Sequence, residues 1–322
     1  MQAVQYARYF AGVVLAAALV LPAVAADEPA AGISFSALQA AGNGNLAPLE
    51  NLSADDGTRL AFRSYVPRKP QAVLIFFHGG GAHSGAGYAH LAQALSERYA
   101  IAVITPDLRG HRDSDGNRGD APKPAAVWDD VSALIGLAQE RFPETPVFLG
   151  GHGAGAGLVL NYQAYPQRDV VDGLVLLAPD LGPFVDIRRA GSRPFVRTDN
   201  SRLLINALTA GKAFGNKPAV SFDYPIDALV KDSRLLPGYT VNMANAVMPR
   251  KPAEQLAEIR LPMAMWIGND DELIDPQKLA PLLRAPGQDR VAEAIAGAGH
   301  LSLLLKAADH VGPWLQQRAA AQ

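Results

Sequence analysis

Four short motifs in this chain hold residue types that could act together on a substrate. Phe77-His78-Gly79-Gly80-Gly81 follows an apolar run, and glycines there let the backbone approach a ligand so that an amide N–H can face a developing oxyanion. Phe148-Leu149-Gly150-Gly151-His152-Gly153-Ala154-Gly155-Ala156-Gly157 joins a second apolar run to a helix-like segment. It has the outline of the sharp turn G-x-S-x-G, which presents a nucleophilic hydroxyl. Its central position is Gly153, not serine. Gly268-Asn269-Asp270-Asp271-Glu272-Leu273-Ile274-Asp275 is an acidic cluster leaving a third apolar run, where a carboxylate can orient an imidazole. Gly297-Ala298-Gly299-His300 offers that imidazole, and His300 follows the acid in the order that a nucleophile–acid–base series requires. The glycine-rich turn has no G-x-G-x-x-G phase with a matching acidic residue, and no Lys or Ser/Thr in P-loop register, so phosphate chemistry is disfavoured.

Composition narrows the classes. The chain has 322 residues, 49% hydrophobic and 19% charged, with 29 Lys+Arg against 31 Asp+Glu. That apolar content excludes disorder over most of the chain, and a net charge of −2 implies no large basic surface, which disfavours sequence-independent binding of nucleic acid. There is no cysteine, which removes disulfides, thiol catalysis and cysteine metal ligands together. The seven histidines show no metal-ligand spacing, so neither a metal nor an organic cofactor is implied.

Elements able to position the motifs follow from the apolar pattern. β-like runs at Arg59–Val66, Ala72–Phe77, Ile101–Thr105, Pro146–Leu149, Val171–Leu177, Met263–Ile267 and Val291–Ile295 alternate with helix-like segments. Those segments are Tyr88–Tyr99, the stretch carrying Val127, Val131, Leu134, Ile135 and Ala138, then Ala154–Tyr165, Pro276–Leu283, and a last one from about Leu301. Such alternation implies a mostly parallel, doubly wound α/β sheet. Residues 56–180 and 260–322 read as this core. Between them, 181–259 breaks the rhythm with scattered aromatics (Phe184, Phe195, Phe214, Phe222, Tyr224, Tyr239) and reads as a cap inserted over the carboxyl edge of the sheet. At the amino end, Arg8 precedes an apolar run from about Phe10 to Leu21, and Ala23-x-Ala25 follows. Residues 1–26 therefore read as a signal peptide, and the protein as exported, periplasmic or secreted, meeting a membrane only through that segment before cleavage. Residues 27–55 read as a lead-in.

Taken together, the motifs resemble the α/β-hydrolase superfamily, and more nearly its monoacylglycerol lipase and lysophospholipase branch, also described as serine-aminopeptidase-like (S33). His78-Gly79-Gly80-Gly81-Ala82-His83-Ser84-Gly85 is similar to that branch's HGxGxHSG loop, with Tyr88 delayed by one residue. Asp107-Leu108-Arg109-Gly110-His111-Arg112-Asp113-Ser114-Asp115-Gly116 is similar to its D-x-R-G-H-G-x-S-x-G loop, with Arg112 where glycine is usual. The resemblance implies an α/β-hydrolase fold with an inserted cap. It also implies Asp271 as triad acid with Asp275 as fallback, His300 as base, the Gly80 and Ala154 amides as oxyanion hole, and a small ester or lipid-like molecule as ligand. The family's nucleophilic serine falls at Gly153. His152, just before it, is expected to point away from the site, and Ser84 and Ser302 are not expected at the elbow.

Three readings follow. The first is a carboxylic-ester hydrolase scaffold impaired as a serine hydrolase because Gly153 has no side chain. The second is a non-catalytic module that keeps the pocket to bind a ligand or partner. The third is an enzyme using His300 and Asp271 as a general base without a covalent intermediate.

Overall fold

The structure is a computed structural model, which describes residues 32–283 and 288–321. The expected signal segment lies outside the described residues. Eight strands form one sheet: β1 (Leu49–Ser53), β2 (Arg59–Tyr65), β3 (Ala72–Phe77), β4 (Ile101–Pro106), β5 (Val147–His152), β6 (Gly173–Leu177), β10 (Met263–Gly268) and β11 (Arg290–Ile295). Their spatial order is β1-β2-β4-β3-β5-β6-β10-β11. β1 pairs antiparallel with β2, and β2 with β4; every other pairing is parallel. Every residue of β3, β4, β5, β6 and β10 is buried, which is why these strands read as continuous apolar runs and not as alternating ones.

The helix Pro124–Arg141 shows how pattern becomes packing. Proline at its first position is preset for a helical turn. Val127, Val131, Leu134, Ile135 and Ala138 then recur at helical spacing, and all five are buried against the core. Each of the four larger side chains contributes about 1.5–3 kcal/mol by leaving water, which offsets part of the entropic cost of ordering the helix.

Two departures from the sequence reading matter for the site. β5 runs on to His152 instead of stopping at Leu149, because Gly150 and Gly151 pair in register with Phe76 and Phe77 on one side and Val175 and Leu176 on the other. The glycines read as a loop yet are needed as strand, since a Cβ on Gly150 would meet the Phe76 ring at 2.8 Å. The lead-in is the second departure. Its residues 49–53 are the edge strand β1, and Ile33, Phe35 and Leu38 line the cavity described below.

Residues 181–259 hold a three-stranded antiparallel sheet, β7 (Val196–Thr198), β8 (Pro218–Phe222) and β9 (Gly238–Thr240), with short helices. The later part of this stretch is core-like. The helix Val241–Val247 is largely buried, and its Ala246 carbonyl accepts from Trp128 Nε1 (3.0 Å) and Asn161 Nδ2 (2.9 Å). Among the described residues no helix is long and apolar enough to cross a membrane.

Candidate active site

The carboxyl ends of β3, β5, β6, β10 and β11 converge on one cavity of about 160 Å³, at the edge where open α/β sheets bind ligands. Its walls are mostly apolar and come from three parts of the chain: the lead-in, the insertion (Phe195, Phe222, Tyr224) and the loops after the strands. Gly80, His152, Gly153, Ala154, Asp180 and His300 line its polar part.

β5 turns sharply into the helix Ala154–Gln163 at Gly153, whose φ of 53° and ψ of −116° belong to a region that L-residues rarely occupy. The other glycines of the turn are there for want of space. A Cβ on Gly151 would lie 2.2 Å from the Gly155 carbonyl carbon, and one on Gly155 would lie 2.3 Å from the Phe77 oxygen. At Gly153 a Cβ would meet nothing closer than His300 Nε2 at 3.8 Å and Gly79 Cα at 3.9 Å. Gly153 is thus the one position of this turn open toward both the cavity and the imidazole.

His300 is buried, and its Nδ1 lies 2.8 Å from Asp271 Oδ2. The other Asp271 oxygen accepts from the Leu273 and Ile274 amides (2.9 and 2.8 Å), so the carboxylate is fully held. Burial opposes charge on both groups, but their mutual attraction prevails. The His300 pKa is raised above 6.5, with Glu272 and Asp180 adding to the pull of Asp271. The Asp271 carboxyl is held below its usual value by His300 and by the two amides. His300 Nε2 has no hydrogen-bond partner among the described residues. Asp275, the fallback acid, instead accepts from the Gln277 amide (2.9 Å) and caps the helix Pro276–Leu283.

The amides of Gly80 and Ala154 donate to no group among the described residues, and a Cβ on Gly80 would lie 3.7 Å from that of Ala154. The two residues expected to supply the oxyanion donors are therefore neighbours, and their amides are free among the described residues. The loop that carries Gly80 is fixed by three tyrosine hydroxyls. The Gly79 N–H donates to Tyr88 (2.7 Å), the Gly81 N–H donates to Tyr239 (2.7 Å), and Tyr224 donates to the Gly80 carbonyl (2.8 Å). Tyr224 and Tyr239 come from the insertion, which presses so closely that a Cβ on Gly80 would meet the Phe222 ring at 2.7 Å.

His152 does not point away from the site. Its Nδ1 accepts from Tyr88 (3.2 Å), its Nε2 faces the His300 carbonyl (3.1 Å), and the two imidazole rings lie 4.7 Å apart. Burial and the His300 charge push its pKa down to about 3, so it serves as a neutral strut. Because β5 extends to residue 152, its side chain lies under the site. Ser302 braces the same loop by accepting from the Gly299 amide (2.7 Å), and Ser84 binds through its own amide to Asp107 (2.6 Å).

Several site residues escaped the sequence reading. Glu272 accepts from the His300 amide (2.8 Å), and its place beside Asp271 was a usable signal. Asp180, directly after β6, was equally visible: its amide donates to the Gly153 carbonyl (3.0 Å), and burial raises its carboxyl pKa. Arg189 donates to the carbonyls of Asp271 and Asn269, which no local pattern foretells.

Comparison with known proteins agrees with this architecture. Monoglyceride lipase of Rattus norvegicus is 27% identical over 260 residues, covering 79% of this chain and 83% of that protein. The Homo sapiens enzyme of the same name is 26% identical over 285 residues, covering 84% and 91%. Among solved structures, a soluble variant of monoglyceride lipase from Saccharomyces cerevisiae in complex with a substrate analog superposes with a TM-score of 0.65 at 16% identity, covering 85% of this chain and 96% of that one. A thermostable carboxyl esterase from Bacillus coagulans in complex with glycerol also gives 0.65, at 17% identity, with coverage of 85% and 100%. The family described as "Serine aminopeptidase, S33" matches residues 68–304. With that match over most of its length, and this sheet order, the chain belongs to the serine aminopeptidase S33 family of α/β-hydrolases.

Proposed function

We propose that this protein is an exported member of the carboxylic-ester hydrolase type whose pocket takes a small ester or lipid-like molecule, and that it is impaired as a serine hydrolase because Gly153 occupies the nucleophile position. One observation carries the reading: the open space at Gly153 faces an unpartnered His300 Nε2 at 3.8 Å, beside two free amides. In the proposed roles, Asp271 orients and charges His300, His300 is the base, and Gly80 and Ala154 are the oxyanion donors. Without a hydroxyl at residue 153 no acyl-enzyme forms there, and the turn offers no substitute. Any turnover that remains runs through His300 acting on water, with the oxyanion donors still in use. The apolar cavity walls and the monoglyceride lipase relatives support an acyl group as the part bound.

The test is Gly153→Ser. The unmodified protein is expected to turn over short-chain p-nitrophenyl esters poorly and to resist labelling by a fluorophosphonate, and the variant to gain both. Strong labelling of the unmodified protein at another serine would sink the reading. Export rests on the segment ending at Ala23-x-Ala25, and the mass of the mature amino terminus tests it.

A further inference from the structure

A missing side chain also creates something. We infer that the floor of the cavity is a binding site for an aliphatic monocarboxylate, formed by the Gly80 N–H, the Ala154 N–H and His300 Nε2 around the space left open at Gly153. The inference rests on the preceding reading of residue 153 but concerns what the vacated site holds, not what it hydrolyses.

Three donors border one space and none is used. The two amides have no acceptor among the described residues, and His300, 7% exposed, turns an unpartnered Nε2 toward the cavity. A serine at 153 would fill the gap between His300 and the amides. With glycine there, one carboxylate oxygen accepts from the amides while the other enters the gap and accepts from the imidazolium. Amides at the start of the helix Ala154–Gln163 favour an anion, and a carboxylate neutralises the charge on His300 where an alcohol or an ester brings none. The apolar walls then receive the alkyl chain.

The groups facing His300 set the pH dependence. Asp271 and Glu272 from the loop after β10, and Asp180 after β6, stabilise its charged form, while His152 beneath it disfavours that form. Of these, Asp180 is the carboxyl on the cavity wall; Gly182 donates to one of its oxygens (2.9 Å) and burial favours its protonated form. Arg188 also lines the cavity and acts on Asp180, but its charge does not change over this pH range, so the pH dependence follows the proton on His300 and binding weakens as pH rises through the His300 pKa.

Calorimetric titration of the full chain with octanoate and with octan-1-ol tests this. At about pH 6, octanoate is expected to bind with one-to-one stoichiometry and about tenfold more tightly than octanol, and to lose that preference by about pH 9. His300→Gln is expected to abolish the preference, with its melting temperature reporting that the fold is kept. Gly153→Ser, which refills the gap, is expected to weaken octanoate binding about tenfold. Equal affinity for octanoate and octanol in the unmodified protein, or a preference that survives in His300→Gln, overturns the inference. A Gly153→Ser variant that gains esterase activity alongside either of those results overturns this inference alone and leaves the ester-hydrolase reading standing.

Discussion

Among the described residues two buried histidines pair with an aspartate, and only one of the two pairs resembles a catalytic device. His300 lies 2.8 Å from Asp271; His83, fully buried at the base of the glycine-rich loop, lies 2.6 Å from Asp232 of the insertion. The difference is the second nitrogen. In His300 it faces an open cavity, while in His83 it accepts from the Gly85 amide (3.1 Å) and from Arg112 Nη1 (2.8 Å). The second pair has no valence left for a substrate and instead ties insertion to core. A histidine beside a carboxylate is therefore no sign of a base until its other nitrogen is shown to be free.

The largest expected effect restores what the first pair lacks: Gly153→Ser should raise esterase turnover by about three orders of magnitude or more, measured with p-nitrophenyl acetate. In that background His300→Ala should remove most of the gain, whereas His83→Ala should lower activity by less than about tenfold and cost about 1–3 kcal/mol of stability by removing the hydrogen bonds that His83 makes to Asp232 and Arg112. Equal losses of activity from the two would erase the distinction.

The next effect is smaller and concerns pH. The base must be neutral to act, so Gly153→Ser activity should rise with pH through a midpoint above 6.5, read from the pH profile of kcat/KM. Stability runs the other way. The His300 pKa is raised, so its contribution is complete below the unfolded value of 6.5 and is lost as pH rises through the folded pKa. The Asp271 pKa is lowered, so its contribution is present above 3.8 and is lost as pH falls through the folded pKa. Melting scans should find the pair's stabilisation greatest between those two values.

The smallest contrast lies within the elbow. Gly153→Ala should cost only about 1–2 kcal/mol, for the unfavourable φ, whereas Gly155→Ala should cost more than about 3 kcal/mol because its methyl group meets the backbone of β3. Denaturant midpoints decide it.

Much of the sheet was legible because its strands are buried on both faces, and Ala72–Phe77 coincides with β3 residue for residue. The edge was less so. β1, with its alternating exposed positions, hid in a stretch rich in Ala, Gly and Asn, since an edge strand needs only one apolar face. Gly153, Asp271 and His300 could be read from motif order, and the structure brings them together. Tyr224 and Tyr239 could not: their partners lie more than a hundred residues away, and nothing local marks a tyrosine whose hydroxyl holds a distant glycine loop. Arg112 shows the opposite case. It occupies a positive φ of 34°, where glycine would be unstrained, and its guanidinium finds both His83 and Asp113.

The tyrosines of the insertion have a mechanical consequence. Because Tyr224 and Tyr239 grip the carbonyl and the N–H of one peptide group, Gly80–Gly81, next to the one that carries the Gly80 N–H, and Leu236 donates to the Gly81 carbonyl (2.8 Å), lifting this part of the cap also pulls on the loop that presents that N–H. Roof and loop are thus interlocked: the three hydrogen bonds that seat the roof are the same ones that hold the glycine loop from above, while Tyr88 holds it from the core.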